Sequence, residues 1–163
     1  MNGVELLLRA LHRGEQALAE ELTAAAEHHR AEHEIHHVAT DLAAWSHEHV
    51  QRLTRTAAER GLDLAGVPAG APGNILGADP MSTPEAGGPS PESPLMLLRD
   101  LRNLHLRAVS NSLHWEMLAQ AAQASKDAAL LSLASDCHPR TLRQMRWTNT
   151  LLKTLSAQAI TSM

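Results

Sequence analysis

One stretch decides what this chain can fold into. Residues 61–94 hold seven of the eight prolines (Pro68, Pro72, Pro80, Pro84, Pro89, Pro91 and Pro94) and seven of the nine glycines. Proline removes a backbone donor and glycine costs backbone entropy, so no helix or sheet interior survives that density. The flanking segments carry almost no breakers. Leu (26 residues) and Ala (27) dominate the chain as a whole, and both are strong helix formers, while Val and Ile are scarce. The expectation is an all-α chain with a helical pair over 4–60, a connection over 61–94 and a second pair over 95–157. A length of 163 residues suits a single domain, 1–163.

A structureless connection of that length needs a reason. Helices of about 25–30 residues are roughly 40 Å long. If the third starts at the far end of the bundle from where the second stops, the chain must run that distance. Thirty-four residues reach up to ~110 Å, so the crossing is easily made. The alternative is a linker between two hairpins that pack without needing its length.

Composition excludes several classes of function. The formal charge is −4 and no basic block occurs, which argues against a nucleic-acid partner. The single cysteine, Cys137, rules out an internal disulfide and fits a reducing, cytoplasmic location. Residues 1–13 hold one short Leu6–Leu8 run among charges, neither a secretory core nor a membrane span. No nucleophile with a partner histidine and acid, no phosphate loop and no dinucleotide fingerprint is visible, so the balance leans away from an enzyme. Histidine is the outlier: eleven residues, seven of them between His28 and His49. Solubility and assembly are therefore expected to depend on pH near 6.

Along the chain, Leu8, Leu11, Glu15, Leu18 and Leu22 recur at helical spacing, with a glutamate inside the apolar stripe. It is either a boundary residue reaching water or an inward metal ligand. A helix from 4 to 60 would be roughly 85 Å long, so a turn belongs near 28–33. Were the helix continuous there, His29, His33 and His37 would stack at i, i+4 and i+8, a spacing that suits Zn, Ni or Cu; otherwise they form a solvated face. The second helix ends at Gly61, and its stripe of Ile35, Val38, Leu42, Trp45, His49, Leu53 and Ala57 is interrupted by His49. The third, after Pro94, carries Leu98, Leu101, His105, Ala108, Ser112, Trp115 and Ala119 on one face. Ser125 or Asp127 is placed to cap the fourth, in which Pro139 predicts a kink and Cys137 a small core residue.

Glu15, a turn, then Trp45-Ser46-His47-Glu48-His49-Val50-Gln51-Arg52-Leu53 resembles the first half of ferritin-like proteins such as bacterioferritins, rubrerythrins and the small bacterial ferritin-like stress proteins. The resemblance is motif-specific only over about 41–60. It implies a ferritin-like four-helix bundle with a long crossover between helices 2 and 3. It also implies self-association as a homodimer or larger homo-oligomer. In those proteins a glutamate from one helix and a Glu-x-x-His pair from the next meet between helices, and the second half repeats the scheme. His49 matches the histidine of that pair. Ser46 stands where its glutamate belongs, Thr141 and Gln144 fall at the fourth-helix ligand positions, and Ala108 and Ser112 occupy the third-helix slots. The implied di-iron centre is therefore degenerate. Glu15, His49 and His105 remain as candidate ligands for one Zn, Ni or Fe ion.

Three functions follow as expectations. The first is a non-catalytic scaffold or binding module, with the stress-related role that the resemblance implies. The second is a histidine-rich metal-binding protein using the 28–49 cluster. The third is a mononuclear-metal enzyme, which needs about three histidines converging in one cavity.

Overall fold

The computed structural model describes residues 2–64 and 93–162. It contains α1 (Gly3–His28), α2 (His33–Glu59), α3 (Pro94–Ala124) and α4 (Ala128–Thr161), and no strand among the described residues. The connection expected over 61–94 lies, from 65 to 92, outside them.

Local chemistry places each boundary. Asn2 caps α1 by accepting from the Glu5 amide at 2.8 Å. The α1–α2 turn occupies 29–32, inside the window expected from helix length alone. α2 closes with the amides of Gly61 and Leu62 donating to Ala58 and Ala57, at 3.0 and 2.8 Å, while Gly61 takes a φ of 74°. That is a Schellman ending, in which only glycine avoids a Cβ penalty. α3 ends the same way, with Lys126 at a φ of 55° in the left-handed position. A lysine there costs about 1 kcal/mol that a glycine would not. Asp127, one of the two expected caps, accepts from the Leu130 amide and opens α4. α4 runs unbroken through Pro139 and extends past 157 to Thr161. Pro139 and Ser135, whose carbonyl loses its helical donor, are both exposed residues.

Directions follow from cross-links. Arg60, just past α2, grips both Asp127 oxygens at 2.8 and 2.7 Å, so α2 stops beside the α3–α4 turn. At the other end His29 bonds Asp100 at 2.7 Å, which sets the α1–α2 turn beside the start of α3. The end of α2 and the start of α3 therefore lie at opposite ends of the bundle. The helices run up, down, down, up. α1 packs on α2 and α3, and α4 on α2 and α3.

The core is split. One apolar cluster gathers Leu8, Leu11, Leu53, Leu118, Leu130 and Leu133 toward the α3–α4 turn. A second gathers Leu18, Leu22, Ala39, Leu42, Leu104 and Ala108 toward the α1–α2 turn. Between them lies a layer of buried polar side chains: Glu15, Ser46, His49, Asn111, Ser112, Thr141 and Gln144.

Candidate functional site

The middle layer exists because each helix interrupts its apolar stripe at a matching height. Glu15 follows Leu11 by four residues and precedes Leu18 by three, so it must point inward with them. It is fully buried. One carboxylate oxygen accepts from His49 Nδ1 at 3.1 Å and the other from Trp115 Nε1, also at 3.1 Å. The His49 and Trp115 rings meet edge to face, 5.9 Å between centroids. With Nδ1–H committed to the carboxylate, His49 turns Nε2 into the protein, where that atom is buried and has no partner. A carboxylate behind a histidine, orienting its ring and leaving Nε2 free, is the arrangement that supports metal-bound imidazoles.

α4 supplies amide and hydroxyl groups to the same layer. Gln144 Nε2 donates to the Leu42 carbonyl at 3.1 Å and to Ser46 Oγ at 2.9 Å, leaving Oε1 buried and unpartnered. Ser112 Oγ bonds His138 Nε2 at 2.8 Å. Asn111 is buried with neither amide atom partnered, pressed against Gly14 of α1. Cys137 joins the neighbouring apolar cluster, as its sequence context suggests. Burial pushes its thiol up to about 12. Above pH 9 the unfolded chain releases this proton and the folded one keeps it, so stability falls as pH rises from 9 toward 12, by about 1.4 kcal/mol per unit. Urea midpoints measured at pH 8 and pH 10 should therefore diverge in the native protein and not, from this source, in Cys137→Ala.

The candidate ligands part company. Glu15 and His49 are brought together, but His105 lies ten residues before Trp115, about 15 Å along α3. There it bonds Thr148 Oγ1 at 2.8 Å. The turn at 29–32 separates His29 from α2, so His29, His33 and His37 do not share one helix face. His29 is buried on Asp100, while His33 and His37 are exposed. Among the described residues no group of three or more His, Cys, Asp or Glu is placed to hold a metal ion. Ser46, Ser112, Thr141 and Gln144 do reach the layer, and Ala108 joins the apolar core.

Sequence reading missed two members. Trp115 counts there as apolar surface and Asn111 is not singled out. A buried indole needs an acceptor for its N–H, and Glu15 was the one acid inside an apolar stripe, so the pairing had a signal. Asn111 had none, because the close approach that marks it is to Gly14, 97 positions earlier.

Outside the layer, α2 and α4 are joined across their seam by long charged side chains. Arg52 bonds Asp136 at 3.0 Å, and Arg140 pairs with Glu48 while its guanidinium sits 5.3 Å from the Trp45 ring centroid. Arg140 holds the Glu48 carboxyl below its usual range. Burial lowers His12 and His114, the latter helped by Arg13. Below about pH 6.5 the unfolded chain thus takes up protons first at these two sites, and acidification works against the fold.

Fold and site together define a four-helix bundle whose core is divided at mid-height by a glutamate–histidine–tryptophan hydrogen-bonded layer. No protein-family model, no curated protein and no solved structure matches this chain. No described helix is long and apolar enough to cross a membrane.

Proposed function

We propose that this chain is a ferritin-like bundle, with residues 61–94 as its crossover, that has exchanged a mid-bundle di-metal centre for a structural polar layer. It acts as a non-catalytic scaffold or binding module in the cytoplasm. The observation that carries the reading is the occupation of Glu15: both oxygens are taken, by His49 Nδ1 and Trp115 Nε1. A di-iron centre in such bundles uses about four carboxylates and two histidines. This layer offers one carboxylate, the His49 imidazole, the His138 imidazole already bonded to Ser112 at its edge, and otherwise neutral amides and hydroxyls. The up-down-down-up order supports the ferritin comparison, because it is the order a single long central crossover produces. Self-association, which the comparison implies, would use the exposed apolar residues Leu113 and Met117 of α3 and Leu142 of α4.

A second reading rests on the unpartnered Nε2 of His49, which suits a single Zn, Ni or Fe ion completed by water and neutral donors. One measurement separates the two. Untagged protein purified without chelator is expected to carry well under one metal per chain by elemental analysis, and added Fe(II) or Zn(II) should leave its melting temperature unmoved. Stoichiometric metal that disappears in His49→Ala would select the second reading instead.

A further inference from the structure

A cavity of about 450 Å3 opens at the end of the bundle, where the α1–α2 turn meets the first residues of α3 and the last turns of α4. Its size lies in the range of small-molecule sites, about 300–1,000 Å3. One wall is apolar: Ile35, Pro94, Leu97, Leu151, Leu155 and Ala159. The rim is polar and has a definite sign. Glu32 and Glu34 contribute carboxylates, and no lysine or arginine lines the cavity among the described residues. Among the described residues neither carboxylate has an ion-pair partner; of the nearby arginines, Arg30 pairs with Glu27 and Arg99 with Asp100. The connecting stretch 65–92 contains no basic residue that could supply one.

The backbone does not reverse that sign. Two helices end at this face, α1 and α4, and two begin, α2 and α3. Each start carries about half a positive charge and each end about half a negative one, so the four cancel. Side chains therefore decide. The floor is held by His29, buried and bonded to Asp100, with His28 Nδ1 3.9 Å from the same carboxylate. That contact keeps the turn, and hence both glutamates, in place against α3.

We propose that this cavity binds a protonated amine carrying an apolar chain or ring. The apolar part lies along Leu97, Leu151 and Leu155, and the ammonium is met at the rim by Glu32 and Glu34. The site is at the opposite extreme from any mid-bundle chemistry and does not rest on the ferritin-like reading.

The test uses the full chain at pH 7.5 and three probes of equal chain length: octylammonium, octanol and octanoate, titrated by calorimetry. Octylammonium is expected to bind about tenfold or more tightly than octanoate, with octanol between them. Glu32→Gln/Glu34→Gln changes only exposed side chains; it should bring octylammonium down to the octanol level and leave octanol unchanged. Leu155→Trp, or Ala159→Leu if the former unfolds by circular dichroism, should abolish binding of all three by filling the space. Octanoate binding as tightly as octylammonium would overturn the proposal. So would no binding of any probe, or retention of the amine preference in the double variant.

Discussion

Glu15→Ala should be among the most damaging single substitutions in this protein, lowering its unfolding free energy by about 3–5 kcal/mol. The side chain is fully buried, and removing it strands two donors at once, His49 Nδ1–H and Trp115 Nε1–H. Each buried, unsatisfied donor costs about 1–3 kcal/mol, and the lost volume adds a cavity term. A domain of this size has roughly 5–15 kcal/mol in total, so a large part of its stability goes. Glu15→Gln should cost distinctly less, because the amide oxygen still accepts one of the two bonds. Urea denaturation followed by the fluorescence of the three tryptophans reads both variants. A loss below about 1 kcal/mol for the alanine variant would show that water reaches the layer and replaces the carboxylate.

The second large effect is a coupling between Gly14 and Asn111. A Cβ built on Gly14 would stand 2.0 Å from Asn111 Oδ1, far inside any real contact. Gly14→Ala alone should therefore destabilise by about 1–3 kcal/mol, even though alanine is the better helix former by about 1 kcal/mol. Asn111 is buried with its amide unpartnered, so shortening it removes an unfavourable polar group as well as the obstacle. In Gly14→Ala/Asn111→Ala the clash is gone and the helix preference is recovered. The double variant should be at least as stable as the native protein, with a coupling of about 2–3 kcal/mol in the cycle. Additive costs would sink the account. They would mean that α1 and α3 do not approach at these residues.

Much of the architecture was legible before any coordinates. The breaker-rich stretch 61–94 separated two helical halves, and the impossibility of one helix from 4 to 60 put the turn where it is found, at 29–32. Glu15 and His49 stood out because a polar residue inside a stripe of leucines and alanines has nowhere else to point. Thr141, Gln144 and Ser112 stood out by their slots in the ferritin comparison, and all are buried in the layer. His105 was equally conspicuous by the same criterion, yet it meets Thr148 near the other cluster rather than Glu15. Periodicity says which side of a helix faces the core. It does not say how far along the bundle axis that residue sits relative to a neighbour three helices away.

The division between chain and fold follows from that. By itself the sequence determined the helical class, the places where helices cannot be, the inward faces and the polar residues trapped on them, because each of these depends on neighbours within a few residues. Only the tertiary structure decided which trapped groups meet. Glu15 finds a partner 34 residues away and another 100 residues away. Axial register sets those meetings. It is settled by the packing of all four helices at once, and no local window of the chain contains it.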